Sequence, residues 1–361
     1  MIQNAGMQDI LITSYDLLRR DIELYQDLPF FCEIIDEAQF IKNHATQGAN
    51  AVKTIHASFR LALTGTPVEN QLSELWSIFD YLMPGFLYGY QKFREQFELP
   101  IVRNGDEERL ERLQKMIRPF ILRRLKKEVL KYLPDKIEKN MAACMEQKQK
   151  DLYHAHAQRL ALMLQNQTEE EFADSRFQVL SELTRLRQLC CDPALVYENY
   201  EGGSAKLDLC IELIQSAVES GHKILLFSQF TSMIEILTAR LQEESISCFV
   251  LQGSTKKEQR AQMVEQFNRD DTSVFCISLK AGGTGLNLTG ADIVIHYDPW
   301  WNVAVENQAT DRAHRIGQKN VVTVYKLIAK GTIEEKIIKL QQMKKELAEE
   351  ILSGDEIKTA S

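Results

Sequence analysis

Apolar residues follow two patterns along this chain. Short continuous apolar runs, typical of strands buried in a sheet, alternate with longer segments in which apolar residues recur with the period of a helix. The runs occur in the first third of the chain and again in its second half, at residues 9–15, 30–36, 59–65, 223–230, 247–252, 273–279, 292–298 and 322–328. Continuous apolar strands separated by helices predict an α/β fold with parallel sheets covered on both faces.

Between these two regions, from about residue 68 to residue 200, the strand pattern is absent and helical periodicity takes over. The helices predicted there cover residues 69–83, 109–124, 146–166 and 175–191. The Gly-Gly-Ser sequence at 202–204 predicts a boundary before the second set of strands. After the last strand, residues 333–352 predict a helix whose apolar stripe must pack on another part of the protein.

Composition narrows the class of protein. The chain has 361 residues, 44% of them hydrophobic, which is enough for two domains that each bury a core. It lacks a secretory signal and any apolar run of about 18 residues, so we expect no membrane association. The seven cysteines form no C-x-x-C motif, and we expect reduced intracellular thiols. The adjacent Cys190 and Cys191 have no His or Cys partner nearby in the sequence, which favours a structural role over a metal site.

Charge is unevenly distributed along the chain. The net charge of −8 argues against a protein that coats nucleic acid through bulk electrostatics. Between Arg112 and Lys131, however, eight basic residues accompany a single acid, Glu128. This run, which includes Arg123 and Arg124, is typical either of a solvated helix face or of a groove that follows a nucleic-acid backbone.

Polar residues at the ends of predicted strands are candidates for chemistry, because ligands of open α/β sheets bind at the carboxyl ends of the strands. Asp36 and Glu37 follow one apolar run, and such a pair either holds Mg²⁺ and polarises a water molecule or forms the acidic start of a helix. Thr64 and Gly65 end another run and are suited to sensing a nucleotide beside the acids. A capping box starting at Thr66 predicts the beginning of the next helix.

Residues 278–302 combine a glycine-rich turn with two tryptophans. Three glycines, Gly282, Gly283 and Gly285, follow the strand at 273–279. Backbone N–H groups of such a turn can approach phosphates closely, although glycine-rich turns are common. Trp300 and Trp301 fit either a core position or a stacking surface.

Arg312 and Arg315 are three residues apart on a predicted helix and would share one face. Two guanidinium groups on one face suit the dispersed charge of a phosphoryl group. Alternatively, they form salt bridges with Glu306 or Asp311 at a wet surface. Taken alone, the segment leaves both interpretations open.

Seven segments together resemble, in order along nearly the whole chain, the Swi/Snf-type branch of the superfamily 2 helicase-like ATPases. They are DEAQ, LTGTPVENQLSELWSIFDYLMPG, PFILRRLKKEVLKYLPDK, KILLFSQF, LQGSTKKEQR, SLKAGGTGLNLTGADIVIHYDPWWN and QATDRAHRIGQ. The resemblance implies two RecA-like parallel-sheet lobes with helical insertions between them, ATP and Mg²⁺ as cofactors, and translocation on duplex DNA. It also implies a cytoplasmic, nucleoid-associated protein.

The same resemblance suggests how the chain is divided into domains. Residues 1–125 would form a first RecA-like lobe with a helical protrusion, and residues 126–203 a helical linker. Residues 204–361 would form a second lobe, the helicase C-terminal domain, with a terminal helix.

The resemblance also implies roles for individual residues. Asp36 would hold Mg²⁺ and Glu37 would act on the attacking water, while Arg312 and Arg315 would reach the γ-phosphate. An arginine in that role can raise the turnover of phosphoryl transfer by roughly 10³ to 10⁵. Coupling between ATP and DNA would involve Gln39, Thr64, Gly65, Thr66, Gly285 and Gln308. The DNA backbone would contact Gln229, Gly253, Ser254, Thr255, Ser278, Lys280, Gly282, Gly283, Asn287, Trp300, Arg123 and Arg124.

The chain departs from the family pattern at two places. Gln39 stands where the DEAH form of the box has histidine, and it keeps a hydrogen-bonding side chain. None of the 17 glycines is followed by lysine, so the printed chain contains no Gly-Lys-Thr phosphate loop to cradle a triphosphate. We therefore expect a first lobe truncated at its start, with an exposed apolar edge, that depends on a missing amino-terminal half or a partner protein.

Three functions are compatible with these features. The first is a portion of an ATP-driven DNA translocase, and this portion by itself hydrolyses essentially no ATP. The second is a DNA-binding or regulatory half that pairs with a separate protein carrying the phosphate loop. The third is an inert scaffold, against which the presence of Asp36, Glu37, Arg312 and Arg315 together argues, because packing alone would not require them. Backbone contacts carry no sequence information directly, so we expect no base-specific readout.

Overall fold

The computed structural model describes residues 8–65, 71–165, 169–282 and 285–353, without the side chains of Lys127, residues 169–174, Lys280 and Ser353. Its strands are β1 (Phe30–Ile35), β2 (Ala57–Ala62), β3 (Lys136–Ala143), β4 (Ile224–Ser228), β5 (Cys248–Leu251), β6 (Val274–Ser278), β7 (Ile293–His296) and β8 (Val322–Ala329). Contacts group the chain into two compact units. The first comprises Met1–Arg123 and Met343–Ser361, and the second Arg124–Gln342.

The α-helices of the first unit include α1 (Tyr15–Arg20), α2 (Gln47–Thr54), α3 (Leu72–Leu82), α4 (Tyr90–Phe93), α5 (Leu99–Asn104) and α6 (Glu107–Ile117). Those of the second include α7 (Lys126–Val129), α8 (Gln147–Gln165), α9 (Glu169–Cys191), α10 (Ala205–Glu219), α11 (Thr231–Glu243), α12 (Lys257–Arg269), α13 (Leu279–Gly282) and α14 (Val303–Thr310). Helix α15 (Ile333–Ser353) begins in the second unit, and its last residues belong to the first.

The first unit contains a two-stranded parallel sheet in which β1 pairs with β2. One face of this sheet is covered, because Tyr81 of α3 is fully buried and its hydroxyl donates to the Glu33 carbonyl at 3.2 Å. Arg60 of β2 lies on that face too, and its Nη2 donates to the Ile55 carbonyl at 2.6 Å. A second apolar cluster joins helices α3 to α6 with Ile351 of α15, so the terminal stripe packs in part on this unit.

The other face of the same sheet is apolar and exposed. Ile34 and Leu61 are register partners and keep 59% and 52% of their surface accessible, and Phe59 beside them keeps 58%. Parallel sheets are normally covered on both faces, so this surface is unusual for a parallel pair. The expected apolar edge of this sheet stays a prediction, because these side chains lie on a face of the sheet.

The second unit contains a six-stranded, all-parallel sheet in the order β3-β8-β7-β4-β6-β5. Alternate residues of β4 face opposite sides: Ile224 and Leu226 pack in one apolar cluster, and Leu225 and Phe227 in another. All five residues of β4 are buried. The sheet is therefore covered on both faces, as the continuous apolar runs predict.

Two sequence expectations about strands are wrong. Residues 9–14 form no strand, and α1 begins at Tyr15 because Ser14 caps it by accepting a hydrogen bond from the Leu17 N–H. Strand β3 lies in the largely helical region, where no strand was expected. Its sequence is polar because, among the strands that the structure describes, it is an edge strand that pairs with β8 alone and is largely exposed.

The predicted helices are present with shifted ends. Helix α6 ends at Ile117 before Pro119, rather than continuing to residue 124. The capping box at Thr66 lies outside the described residues, and α3 begins at Leu72 after the extended residue Gln71. The three-part domain division stays a prediction. The seven cysteines, all within the described ranges, are free, and among the described residues no helix is long and apolar enough to cross a membrane.

An ion pair is buried in the second unit. Lys206 of α10 and Glu334 of α15 are 1% and 0% exposed, and Nζ lies 2.5 Å from Oε2. Glu334 also accepts a hydrogen bond from the Ala329 N–H at 2.7 Å. Burial raises the pKa of the neighbouring Cys190 thiol well above its usual value. Cys190 is thus a neutral core residue, in agreement with the structural role expected for it.

Replacing Lys206 with methionine tests this pair. Lys206→Met leaves the Glu334 carboxylate buried without its cation, which should lower the free energy of unfolding by about 3–5 kcal/mol. Adding Glu334→Gln removes the uncompensated charge and should recover most of that loss. Urea denaturation followed by circular dichroism measures both, with exposed Lys336→Met as a control that stays within about 0.5 kcal/mol of wild type. A double variant as unstable as Lys206→Met would contradict this account.

His296 of β7 is a second buried titratable group. It is 1% exposed, its Nε2 lies 2.9 Å from the Thr310 hydroxyl, and its ring stacks on Phe227. Burial lowers the pKa of this imidazole from 6.5 to about 4. The histidine is therefore neutral in the folded protein at physiological pH.

The lowered pKa predicts acid sensitivity. The native state binds fewer protons than the unfolded state between the two pKa values, so stability is lost as pH falls from about 6.5 toward about 4. At pH 5 this group alone should cost about 2 kcal/mol relative to pH 7. Urea denaturation at both pH values should show a smaller loss for His296→Gln than for wild type. Exposed His154→Gln should behave like wild type, and an unchanged loss in His296→Gln would refute the prediction.

Candidate functional site

The carboxyl ends of β1 and β2 bring the predicted acids and the Thr64-Gly65 turn together. Backbone pairing continues past the strands, because the Leu63 N–H donates to the Ile35 carbonyl at 2.8 Å and the Ala38 N–H donates to the Leu63 carbonyl at 2.9 Å. These two bonds lie on either side of Asp36 and Glu37 in the segment after β1. On the segment after β2 they involve Leu63, which directly precedes Thr64. The parallel register thus places both motifs at one edge.

Asp36 and Glu37 have an unusual backbone. Glu37 adopts a left-handed conformation, with φ 51° and ψ 54°, which is uncommon for a residue with a Cβ. Its N–H donates to Asp36 Oδ1 at 2.8 Å, and the Tyr15 hydroxyl donates to the Asp36 carbonyl at 2.7 Å. A 3₁₀ helix, Ala38–Ile41, follows without a capping bond from Glu37. Helix capping therefore does not account for this acid pair.

A chain of side-chain hydrogen bonds connects the two motifs. Gln39 Nε2 donates to Glu37 Oε2 at 2.6 Å, and the Thr64 hydroxyl donates to Gln39 Oε1 at 2.9 Å. Gln39 thus uses both ends of its amide, the donor toward the acid and the acceptor toward the threonine. Gly65 follows directly and is exposed, and Thr66 lies outside the described residues.

The surroundings of the acids are electronegative. Burial, followed by the charges of Asp36 and Glu37, raises the pKa of Tyr15 to about 12. Burial also raises the pKa of Glu33 to about 7, although Arg60 lies 3.4 Å from its carboxylate. Among the described residues no cluster of three or more His, Cys, Asp or Glu side chains could hold a metal by itself. A single exposed carboxylate such as Asp36 suits Mg²⁺, which commonly takes one or two protein ligands and completes its shell with water and phosphate.

In the second unit, the predicted DNA-facing residues follow the carboxyl ends of parallel strands and so lie at one edge of the sheet. Gln229 follows β4, Ser278 ends β6, and Trp300 follows β7. Ser278 is buried and its hydroxyl accepts from the Ala281 N–H at 3.3 Å, which anchors α13. The side chain of Lys280 and the whole of Gly283 lie outside the described residues, whereas Gly282 ends α13.

Two further loops belong to this edge. After β5, Gly253 and Ser254 are exposed, and the Thr255 hydroxyl accepts from the Gln252 N–H at 3.1 Å. Asn287 is exposed, and its carbonyl accepts from Asn268 Nδ2 at 2.8 Å. Gly285 has a φ of 48°, a conformation that favours glycine.

The arginines do not share a helix face, so that expectation is wrong. Helix α14 ends at Thr310, and both residues lie in the turns that follow. The chain leaves the helix because the Leu288 N–H donates to the Arg312 carbonyl at 3.0 Å. Arg312 is buried and Arg315 is exposed, but both contact the 286–288 segment, since Arg315 Nη1 donates to the Leu286 carbonyl at 3.1 Å.

The acids considered as alternative partners of these arginines lie close to lysines. Asp311 Oδ1 is 2.6 Å from Lys126 Nζ, and Glu306 Oε2 is 3.3 Å from Lys326 Nζ. Gln308 lies half-buried in α14.

The basic run is also not a single helix face. Arg118–Phe120 is a 3₁₀ turn, residues 121–125 have no regular structure, and α7 is one turn long. Pro119 accounts for the interruption. Arg123 and Arg124 are both exposed.

One residue near this edge was not indicated by its sequence motif. Arg187 of α9 is buried and donates to the Gln229 side chain at 2.9 Å. Its guanidinium also lies 5.2 Å from the Trp300 ring, which is half-buried. No signal in the sequence could have indicated it, because Arg187 stands among other polar residues of a predicted helix, such as Arg185 and Gln188.

Comparison with known proteins identifies matching families and relatives. Residues 3–195 match the SNF2-related domain, and residues 205–317 match the helicase conserved C-terminal domain. An "Uncharacterized ATP-dependent helicase" of Mycoplasma pneumoniae is 41% identical over 351 residues, covering 96% of this chain and 33% of that protein. The "Putative ATP-dependent helicase/translocase YwqA" of Bacillus subtilis is 40% identical, covering 96% of this chain and 38% of YwqA. The chain thus spans little more than a third of the length of these curated relatives.

Solved structures give the same result. The Sulfolobus solfataricus SWI2/SNF2 ATPase core in complex with dsDNA is 37% identical, with a TM-score of 0.51, covering 96% of this chain and 73% of that chain. The ATPase core domain of the same organism is 38% identical, with a TM-score of 0.52, covering 94% of this chain and 70% of that one. The expected α/β fold with two RecA-like lobes is confirmed by this likeness. On these matches, the chain belongs to the SNF2-related family of helicase-like ATPases.

Proposed function

We propose that this chain supplies part of the ATPase site and of the DNA-binding surface of a motor that is driven along duplex DNA by ATP hydrolysis. The observation that carries the proposal is the hydrogen-bond chain from Glu37 through Gln39 to Thr64. It joins an acid suited to acting on water with a threonine on the neighbouring strand end. Relatives described as ATP-dependent helicases, and a related core in complex with dsDNA, support the same assignment.

In the first unit, Asp36 would hold Mg²⁺, which when bound neutralises the charge of the phosphates. Glu37 would orient the attacking water and accept its proton. Gln39 holds one oxygen of that carboxylate. Gln39 would connect this site to Thr64, Gly65 and Thr66, and these residues would couple the state of the nucleotide to DNA binding.

In the second unit, Arg312 and Arg315 would interact with the γ-phosphate, and Gly285 and Gln308 would couple this interaction to DNA binding. Both arginines contact the segment at 286–288, which includes Asn287 at the predicted DNA-facing edge. A movement of DNA against this edge would therefore shift the arginines. The remaining backbone contacts would come from the strand-end loops and from the basic run.

A second candidate function is favoured by the exposed face of the β1–β2 sheet. Ile34, Phe59 and Leu61 present apolar surface that water disfavours and that a further layer of structure would cover. The chain would then be a DNA-binding half that becomes active with a separate polypeptide bearing the phosphate loop. The upstream reading frame discriminates between the two: a strand followed by Gly-Lys-Thr favours the first function, and an unrelated protein favours the second.

ATP hydrolysis by the chain alone is the first test. Because the printed sequence contains no Gly-Lys phosphate loop, the purified 361-residue chain should show no turnover above background, with or without duplex DNA. A phosphate-release assay measures this. DNA-stimulated turnover that is abolished by Arg315→Ala would overturn the prediction.

DNA binding by the same chain is the second test. The affinity for a short duplex should fall steeply with salt, and replacing both Arg123 and Arg124 with alanine should reduce the slope of log Kd against log salt by about two. Fluorescence anisotropy across a salt series provides the slope. Arg240→Ala with Arg269→Ala removes the same charge from exposed sites paired with local glutamates and should leave the slope unchanged. Equal slopes for the two double variants would show that the basic run does not belong to the DNA-binding surface.

A further inference from the structure

A single buried guanidinium connects the segments that follow β4 and β7. Arg187 is 4% exposed. Its Nη1 donates to Gln229 Oε1 at 2.9 Å, and its Nη2 donates to the Pro299 carbonyl at 2.8 Å. The two acceptors belong to different loops of the predicted DNA-facing edge, so one planar group sets the distance between them.

Aromatic rings enclose this guanidinium. Its central carbon lies 5.2 Å from the Trp300 ring and 5.6 Å from the rings of Trp301 and Phe230. Such cation–π contacts orient both partners when the cation is shielded from water. Arg187 therefore sets the orientation of both tryptophans as well as the position of Gln229.

The counter-ion belongs to the same network. Asp298 Oδ2 lies 3.5 Å from Arg187 Nη2, and Oδ1 accepts from the Ser228 hydroxyl at 2.6 Å and from the Gln229 N–H at 3.2 Å. The backbone and the side chain of Gln229 are thus both held, one by the acid and the other by the arginine.

The network continues to the helix that precedes the arginines. The Trp300 N–H donates to Glu306 Oε1 at 2.6 Å, and Glu306 lies in α14. Gln341 donates to the same carboxylate at 3.0 Å and also to the Trp300 carbonyl. The turn at Trp300 is therefore bonded to Arg187 on one side and to α14 on the other.

We propose that Arg187 is a positioning residue for DNA binding: it holds the Gln229 side chain and the turn at Pro299–Trp301 in the arrangement that receives the phosphodiester backbone, and it does not touch DNA itself. This inference rests on the proposed function. Gln229 Nε2 is buried and makes no hydrogen bond within the described part of the chain, so the arginine contact to Oε1 is the side-chain bond that holds this amide in place.

The chemistry of the site requires arginine in particular. A buried charge pair is no more stabilising than well-packed apolar residues, so packing alone does not explain a guanidinium here. Lysine keeps the charge but lacks the planar fork that reaches two acceptors while stacking on rings. Arg187→Lys should therefore release Gln229 and the tryptophan turn while the fold is retained.

A double-mutant cycle on the 361-residue chain tests the proposal. Arg187→Lys and Gln229→Ala should each raise the Kd for a short duplex about tenfold, and the double variant should bind no more weakly than the weaker single variant. Effects that multiply in the double variant would show that Arg187 does not act through Gln229 and would overturn the proposal. An Arg187→Lys variant that binds like wild type would overturn it as well.

Salt dependence provides a second readout that a direct phosphate contact would change. Because Arg187 does not touch DNA in this proposal, Arg187→Ala should leave the slope of log Kd against log salt unchanged, whereas loss of a phosphate-bound cation lowers it by about one. Arg185→Ala is the matched control, since that residue lies on the same helix, 44% exposed and paired with Glu182, and should alter neither the Kd nor the slope. A lowered slope for Arg187→Ala would contradict positioning.

Unfolding of a variant is separable from loss of binding. If circular dichroism shows that Arg187→Lys or Arg187→Ala is unfolded, Arg187→Met with Asp298→Asn removes both buried charges and should fold. That double variant should still bind DNA about tenfold more weakly than wild type, and wild-type affinity would overturn the proposal. Absence of duplex binding by the wild-type chain would overturn the proposed function together with this inference, whereas wild-type binding matched by every Arg187 variant would overturn the inference alone.

Discussion

Parallel strand pairing is the constraint on which the rest of this structure depends. Because all strands of a parallel sheet run in the same direction, every strand end at one edge is a carboxyl end, and the loops that follow are collected there. Each unit uses this geometry separately. In the first it sets Glu37 beside Thr64, and in the second it gathers the loops after β4, β5, β6 and β7. The polar chemistry of the chain is concentrated where the apolar strands stop.

Buried charges have different roles within the second unit. Lys206 and Glu334 join α10 to the start of α15, and we expect their effect to be on folding stability. Arg187 and Asp298 lie below that edge and direct side chains toward it. The desolvation of two charges is a similar cost in both places, but the second pair holds Gln229, which belongs to the proposed DNA-binding surface.

The apolar strands and most helices could be predicted from the sequence because their periodicity is local. Strand β3 could not, since an edge strand with a polar sequence has no such pattern and is defined by its partner β8. The placement of Asp36 at a strand end followed from the preceding apolar run. The turn at Arg312 did not follow from its own sequence, because it depends on a hydrogen bond from Leu288. The contacts of Arg187 could not be predicted either, since its hydrogen-bond partners lie 42 and 112 residues away in the sequence.

The left-handed backbone at Glu37 affects which residue suits this position. Glycine would adopt this conformation without steric strain, so replacing the glutamate by glycine would relax the chain while deleting the carboxylate. Folding stability and the proposed chemistry of Glu37 therefore have opposite requirements at this position. Where the proposed chemistry is not needed, glycine would be the less strained residue at this position.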